Sequence, residues 1–177
     1  GVWSGGTGTY SPNNSTLTAT YTPTAGEIAG GTLTLTLTST GNGTCNPVQS
    51  SRVINFTPAP SVNAGPNGTV CANSSAITLA GSQSGATGAV WSGGTGTYNP
   101  NNATLNAVYT PSAAERTAGT VTLTLTTVGN GNCNAVSDQV TYSITPSPTA
   151  NAGPDQSRCA NNAVATLTGS VTVATGG

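Results

Sequence analysis

The sequence predicts an all-β fold: tandem immunoglobulin-like β-sandwich domains joined in an extended array. Three observations predict it. The run Val2-Trp3-Ser4-Gly5-Gly6-Thr7-Gly8-Thr9-Tyr10 returns unchanged as Val90-Trp91-Ser92-Gly93-Gly94-Thr95-Gly96-Thr97-Tyr98. The offset of 88 residues then holds along the whole chain without an insertion, and about 50 of 88 aligned positions are identical. A fixed period of this kind marks repetition of one structural unit. The stretch Val121-Thr122-Leu123-Thr124-Leu125-Thr126 alternates strictly between apolar and polar residues, which is the signature of a half-buried strand. A period of this length, with about seven short strands between Gly- and Asn-containing turns, suits one sandwich per repeat.

The unit is framed by its prolines. Pro58-Ala59-Pro60 and Pro146-Ser147-Pro148 precede matched Asn-Ala-Gly-Pro runs at 63–66 and 151–154, and they read as short semi-rigid links. Residues 1–58 are then the C-terminal part of one unit, 59–146 a complete unit, and 147–177 the N-terminal part of the next. Gly1, Ala89 and Gly177 fall at equivalent positions, so the sequence reads as a window on a longer protein.

Within the complete unit, Ala76-Ile77-Thr78-Leu79-Ala80 is expected to be a strand, and Ala89-Val90-Trp91-Ser92 follows it after a Gly-rich turn. Thr104 to Tyr109 places Leu105, Ala107 and Tyr109 on one face, and Val140, Tyr142 and Ile144 share a face of the last strand. Gly129-Asn130-Gly131 is expected to join the last two strands as a tight hairpin, because Gly and Asn tolerate the positive φ such turns need. Pro111-Ser112-Ala113-Ala114-Glu115-Arg116 is the one helix-like patch, a single turn at a strand-to-strand corner. Trp3 and Trp91, one per unit on an apolar strand, are expected in the core.

Charge is nearly absent. Glu27, Arg52, Glu115, Arg116, Asp138, Asp155 and Arg158 are all of it, and there is no His, Lys or Met. Soluble domains usually carry about 25% charged residues; here 4% are charged, so solubility rests on Thr, Ser, Asn and Gly. Such a surface lacks the clustered cations that nucleic acid requires and the basic face that anionic membranes attract. No run reaches the roughly 18 apolar residues of a membrane span, and no direct membrane insertion is expected.

No catalytic, cofactor-binding or metal site emerges. Without His there is no Ser-His-Asp or Cys-His arrangement. Glu27 and Glu115 recur, but Asp138 is matched by Ser50 and Asp155 by Asn67, so a carboxylate pair does not repeat. A recurring Glu at a corner turn is expected to cap backbone N–H groups. Calcium needs six to eight oxygens, usually with several carboxylates, and Asp155 stands alone in its loop. Gly5-Gly6-Thr7-Gly8 has glycines but neither the following helix nor the Lys of a phosphate cradle. The Thr rows of 32–38 read as the solvated face of a sheet, as O-glycan acceptors, or as a regular array for ice or glycan binding.

The four cysteines occupy two repeat positions: Cys45 matches Cys133, and Cys71 matches Cys159. An even count without His favours disulfides over zinc. The expected bridge is Cys71–Cys133, with Cys45 and Cys159 pairing outside the window. Two other pairings remain open. Cys71 reaches the hairpin cysteine of the following unit, or Cys45 pairs with Cys71 and Cys133 with Cys159.

The run Asn-Ala-Gly-Pro-Asp/Asn, then a Cys, an alternating strand, Val-Trp-Ser-Gly-Gly-Thr-Gly and a Gly-Asn-Gly-x-Cys turn resembles the PKD-like repeats of giant Bacteroidota surface proteins, of the gliding-motility adhesin type secreted by the type IX system. The resemblance covers the whole chain. It implies an extracellular location on the bacterial cell surface and a structural stalk or filament that supports adhesion or gliding motility. Its expected partners are neighbouring repeats, other copies in a filament, and a glycan or surface ligand. The alternatives are a glycan- or surface-binding module, for which Tyr10, Tyr98, Tyr21 and Tyr109 are the candidate aromatic residues, and a noncatalytic spacer of a larger secreted enzyme.

Overall fold

The computed structural model describes residues 1–173, and its contacts divide the chain into one unit over Gly1–Ala59 and a second from Pro60 onward. The first unit runs β1 (Val2–Ser4), β2 (Thr9–Ser11), β3 (Thr20–Thr22), α1 (Ala25–Ala29), β4 (Thr32–Thr38) and β5 (Gln49–Asn55). β4 lies between β1 and β5, antiparallel to both, with Trp3 opposite Leu37 and Leu33 opposite Ile54. β2 and β3 form a separate ladder that sets Tyr10 opposite Tyr21.

The second unit runs β6 (Ser61–Asn63), β7 (Gly68–Cys71), β8 (Ile77–Thr78), β9 (Ser82–Ser84), β10 (Gly88–Ser92), β11 (Thr97–Asn99), β12 (Val108–Thr110), α2 (Ala113–Ala118), β13 (Thr120–Val128) and β14 (Ser137–Thr145). It is an immunoglobulin-like sandwich. One sheet has the order β10-β13-β14-β7, the other β11-β12-β8, and β6 pairs with β9. The period-2 pattern explains the core directly. Val121, Leu123 and Leu125 of β13 and Val140, Tyr142 and Ile144 of β14 point inward, where they meet Ile77, Leu79, Ala107 and Tyr109. Trp91 is 0% exposed at the centre of this cluster. Thr120 and Thr122 of β13 face outward, and across the ladder Thr122 hydrogen bonds Thr141 at 2.9 Å.

β7 and β14 are parallel, with Tyr142 opposite Gly68 and Thr145 opposite Cys71. The chain entering the unit therefore runs alongside β14 in the same direction. Ala64 N donates to Asp138 Oδ2 at 2.8 Å near the start of β14, and Asn67 Oδ1 accepts from Thr141 N at 2.7 Å further along. Both the β13–β14 connection and the entry of the chain lie at one pole. Cys71 and the exit at Thr145 lie at the other.

This topology places the two cysteines of the expected Cys71–Cys133 bridge at different levels of β14. Cys71 is level with Thr145, the last residue of β14, whereas Cys133 lies in the connection before Ser137, the first. Eight residues of strand at ~3.3 Å each separate those levels by about 26 Å, against the about 4.4–6.8 Å between Cα atoms that a disulfide allows.

Three local expectations are also revised. The β13–β14 connection spans residues 129–136 rather than the tight turn Gly129-Asn130-Gly131 alone, with Gly129 and Gly131 at φ of 67° and 59°. The strand expected over 104–109 begins only at Val108; before it, Ala107 N bonds Thr104 O at 3.2 Å in a turn that still buries Ala107. Of 76–80, only Ile77–Thr78 is strand.

Beyond the second linker, β15 (Thr149–Asn151) pairs with β16 (Ser170–Thr172) as β6 pairs with β9. Leu167 is 85% exposed, whereas its equivalent Leu79 is 1% exposed inside the complete sandwich. Among the described residues no helix is long and apolar enough to cross a membrane.

A buried carboxylate clasp as the candidate functional site

The residues that repeat most faithfully converge at one corner of each unit. Pro111 ends β12, and Ser112 then caps α2. Its side chain accepts from Glu115 N at 3.3 Å, and the Glu115 carboxylate reaches back to accept from Ser112 N at 2.7 Å. This is a capping box, in which two orphan donors of the helix start are satisfied reciprocally. Gly119, with φ of 76°, ends the helix in the left-handed conformation.

Glu115 extends the cap into a long-range clasp. Its Oε1 accepts from Thr95 N at 2.6 Å and from the Tyr109 hydroxyl at 2.8 Å; its Oε2 also receives that hydroxyl, at 2.9 Å. The Tyr109 hydroxyl in turn accepts from Gly96 N at 2.8 Å. The carboxylate thus ties the glycine loop after β10, the end of β12 and the start of α2 to one another. The first unit repeats the clasp. Glu27 accepts from Thr7 N at 2.6 Å, the Tyr21 hydroxyl at 2.7 Å and Thr24 N at 2.7 Å, and Gly8 N donates to the Tyr21 hydroxyl at 2.7 Å.

The loop can close only because it is glycine. Gly94 has φ of 68°, and a Cβ there would overlap the Tyr109 hydroxyl. Gly94→Ala combines left-handed strain with that overlap, so it is expected to cost about 2 kcal/mol or more. Urea denaturation of the variant checks this, and an unchanged midpoint would show that the loop is not held against Tyr109.

Electrostatics follow from the geometry. Burial pushes the Glu115 carboxyl upward, but the hydrogen bonds from Thr95, Ser112 and Tyr109 outweigh it, and the net shift is downward. In the first unit the Thr24 N–H is the strongest influence, and Glu27 is held down at about 2. Tyr98 stacks against Tyr109 with ring centroids 4.8 Å apart and donates to Gly93 O at 3.0 Å. Burial first, and the Glu115 charge second, push its phenol up to about 12. A raised phenol pKa is stability present below the ordinary value of 10 and lost as pH climbs through 12. Alkaline titration of tyrosinate absorbance is therefore expected to show a late phase that coincides with unfolding of the second unit; its completion by pH 10 would contradict the buried placement.

The clasp is chemically closed. The Glu115 carboxylate accepts from three donors, Thr95 N on one oxygen, Ser112 N on the other and the Tyr109 hydroxyl shared between them. Asp138 lies on the entry side, bonded to Ala64 N, away from Glu115 at the α2 corner. Among the described residues no three His, Cys, Asp or Glu side chains gather as a metal site. Cys45 and Cys159 are exposed and Cys71 is half-buried at the end of β7.

The aromatic residues proposed for glycan contact turn inward. Tyr109 is 0% exposed, and Tyr98 is half-buried against the core. In the first unit a cavity of about 200 Å³ is lined by Trp3, Tyr10, Tyr21, Leu35, Ile54 and their neighbours. Ala19 and Arg52 complete its lining. By the 88-residue offset its equivalents are Trp91, Tyr98, Tyr109, Leu123 and Tyr142, which pack in the second unit under Val62, Ala64, Ile77 and Leu79.

Sequence reasoning identified the Glu cap and missed its distant partners. It also missed Asn102, whose Nδ2 donates to Trp91 O at 2.9 Å while Asn102 O accepts from Trp91 N at 2.7 Å. Asn14 clamps Trp3 in the same way. The recurrence of Asn14 as Asn102 was the available signal.

No protein-family profile matches the chain, and no curated protein is similar to it. Several solved structures are similar to it at low identity and low TM-score. Extracellular cadherin domains 1–5 of protocadherin gamma B2 are 12% identical with a TM-score of 0.37, over 77% of this chain and 30% of that one. Mouse cadherin-23 EC22-24 is 12% identical with a TM-score of 0.34, over 81% and 53%. Human mucin-like protocadherin EC1-2 is 10% identical with a TM-score of 0.35, over 82% and 83%. The chain spans less than a third of the protocadherin gamma B2 chain and about half of the cadherin-23 chain.

Proposed function

We propose that this chain is a mechanical segment: a run of immunoglobulin-like sandwiches in the stalk or filament of an extracellular adhesin. The observation that carries the reading is the clasp. What both units conserve at the 88-residue spacing is a saturated hydrogen-bonded lock, and what fails to recur is the remaining charge. A part retained for geometry rather than for reactivity has this character. The low charge and the exposed Thr rows suit a solvated fibre, and the inward Tyr rings remove the best residues of the glycan-binding alternative.

The resemblance to PKD-like repeats supports placing this stalk on a bacterial cell surface, in an adhesin delivered by the type IX system and used in adhesion or gliding. The experiment is in-frame deletion of whole 88-residue units from the parent protein, with surface labelling of intact cells and an adhesion assay. A stalk predicts that labelling persists and that adhesion falls with length. Direct binding of the purified 177-residue chain to glycans, or substrate turnover by it, would overturn the reading.

A further inference from the structure

We propose that residues 147–173 of one copy of this chain seat on the first unit of a second copy and complete a sandwich there, so that copies associate head to tail. The inference goes beyond the stalk reading. It needs the 88-residue equivalence and the sandwich of the second unit, not the adhesin role.

The second unit supplies the template, because its sandwich has two parts. Residues 60–84 form a cover, in which β6 pairs with β9 and Ala64, Ile77 and Leu79 are buried. The body runs from β10 onward. The division falls in the turn between Ser84 and Gly88, so it cuts no strand. By the 88-residue offset the first unit is equivalent to the body, and residues 147–173 are equivalent to the cover.

Each part is exposed where its equivalent is buried. Trp3, Ala19 and Tyr21 are half-buried, whereas Trp91, Ala107 and Tyr109 are 0% exposed. On the other side, β15 and β16 already form the hairpin that β6 and β9 form. Yet Leu167 stands in water while its equivalent Leu79 is enclosed. Removing both apolar surfaces from water drives the two parts together.

The register of the second unit gives the fit. Asn67 there accepts from Thr141 N; the equivalents are Asp155 and Val53. Seating residues 147–173 in the same way brings a carboxylate to the residue beside Arg52, the only cationic side chain of the first unit. Gly68 lies opposite Tyr142, and a Cβ on it would come within 2.9 Å of the ring. Its equivalent is Gln156, and the residue it would face in the first unit is Ile54 rather than a tyrosine. The bulkier cover residue thus meets the smaller body residue. Arg158 takes the place of Val70, which is half-buried at the end of β7, so its long stem can carry the charge out to water. These matches single out the second copy as the occupant of the cavity lined by Trp3, Tyr21 and Arg52.

Light scattering of the 177-residue chain over a concentration series reads the association. A mass above that of one chain, rising with concentration, is expected. Leu167→Asp puts a charge where the complete sandwich buries Leu79, and it should return the chain to the mass of a monomer. Val164→Asp makes the same change at an equally exposed apolar residue, but its equivalent Ala76 stays exposed in the complete sandwich, so association should persist. Ile54→Tyr sets a ring against Gln156 and should weaken association about tenfold, the scale of an overpacked contact. Adding Gln156→Gly should restore it. A monomer at every concentration would overturn the proposal. Equal loss in Leu167→Asp and Val164→Asp would overturn it too, since it marks unspecific clustering of exposed apolar residues. An Ile54→Tyr variant that associates as wild type does, or one that Gln156→Gly does not rescue, would refute the register. Scattering reads association without reference to adhesion, so each outcome leaves the stalk reading to its own test.

Discussion

Trp91→Ala is expected to cost the second unit about 3–5 kcal/mol, the usual price of emptying a large aromatic site in a packed core. Domains of this size are stable by only about 5–15 kcal/mol, so the variant should be partly unfolded under mild conditions. The reason is enclosure. Trp91 is wholly buried among Leu125, Tyr109, Ile77 and Leu79, and its indole Nε1 donates to Leu105 O at 3.1 Å. Leu105 O also accepts from Gly81 N, so the substitution orphans no carbonyl and the loss is mainly packing. Trp3 makes the same indole bond, to Leu17 O at 3.1 Å, but it lines an open cavity. Trp3→Ala should therefore cost about half as much or less. Urea denaturation of the two variants, each followed by the fluorescence of the remaining Trp and by circular dichroism, compares them within one chain. Equal losses at the two positions would show that the covering strands β6 and β8 contribute little to the core.

The contrast shows what was legible in the sequence. Period-2 alternation marks β13 without ambiguity, because each outward Thr and inward Leu reports the same local geometry. The strand expected at 104–109 was misread for a related reason. A turn that buries Ala107 and packs Leu105 reproduces the same spacing of apolar residues, and periodicity alone does not separate them. The tight Asn-Gly hairpin was overestimated because Gly129 and Gly131 supply positive φ within a longer connection. Positive φ is needed by several loop lengths, not only by two-residue turns.

The long-range features were hidden more deeply. Pairing of β7 with β14 joins residues about 74 positions apart and in parallel, and nothing local in Gly68–Cys71 encodes that direction. Once it is known, Cys71 is seen to lie level with the end of β14, whereas Cys133 precedes its start. Glu115 was readable as a cap because its Ser112 partner is three residues away. The Thr95 N–H is twenty residues away, and only the joint recurrence of the Gly-Gly-Thr-Gly loop, the second Tyr and the Glu hinted that they act together. Local chemistry is written in local sequence, whereas closure of the corner is written only in the coincidence of three repeated motifs.

That closure makes Glu115 the most consequential polar residue. It is 9% exposed, and its removal leaves Thr95 N, Ser112 N and the Tyr109 hydroxyl without their acceptor. Glu115→Ala is expected to cost about 3 kcal/mol, since buried donors deprived of a charged partner lose both the bond and their hydration. Glu115→Gln should cost about 1–2 kcal/mol, because the amide retains one acceptor oxygen but turns an NH₂ group toward a second donor. The pH dependence separates a structural carboxylate from a passive one. The folded-state pKa lies below the ordinary 4.5, so the unfolded chain binds the proton more tightly. The contribution is complete above pH 4.5 and is lost as pH falls through the folded value. In a Trp3→Phe background, Trp91 fluorescence isolates the second unit, and its denaturation midpoint should decline below pH 4.5. Glu115→Gln should start lower at neutral pH and decline less. Tyr109→Phe removes one of the three donors to the carboxylate, and the double variant should recover about 1 kcal/mol of coupling between the two sites. An acid profile identical in wild type and Glu115→Gln would show that the carboxylate does not lock the corner.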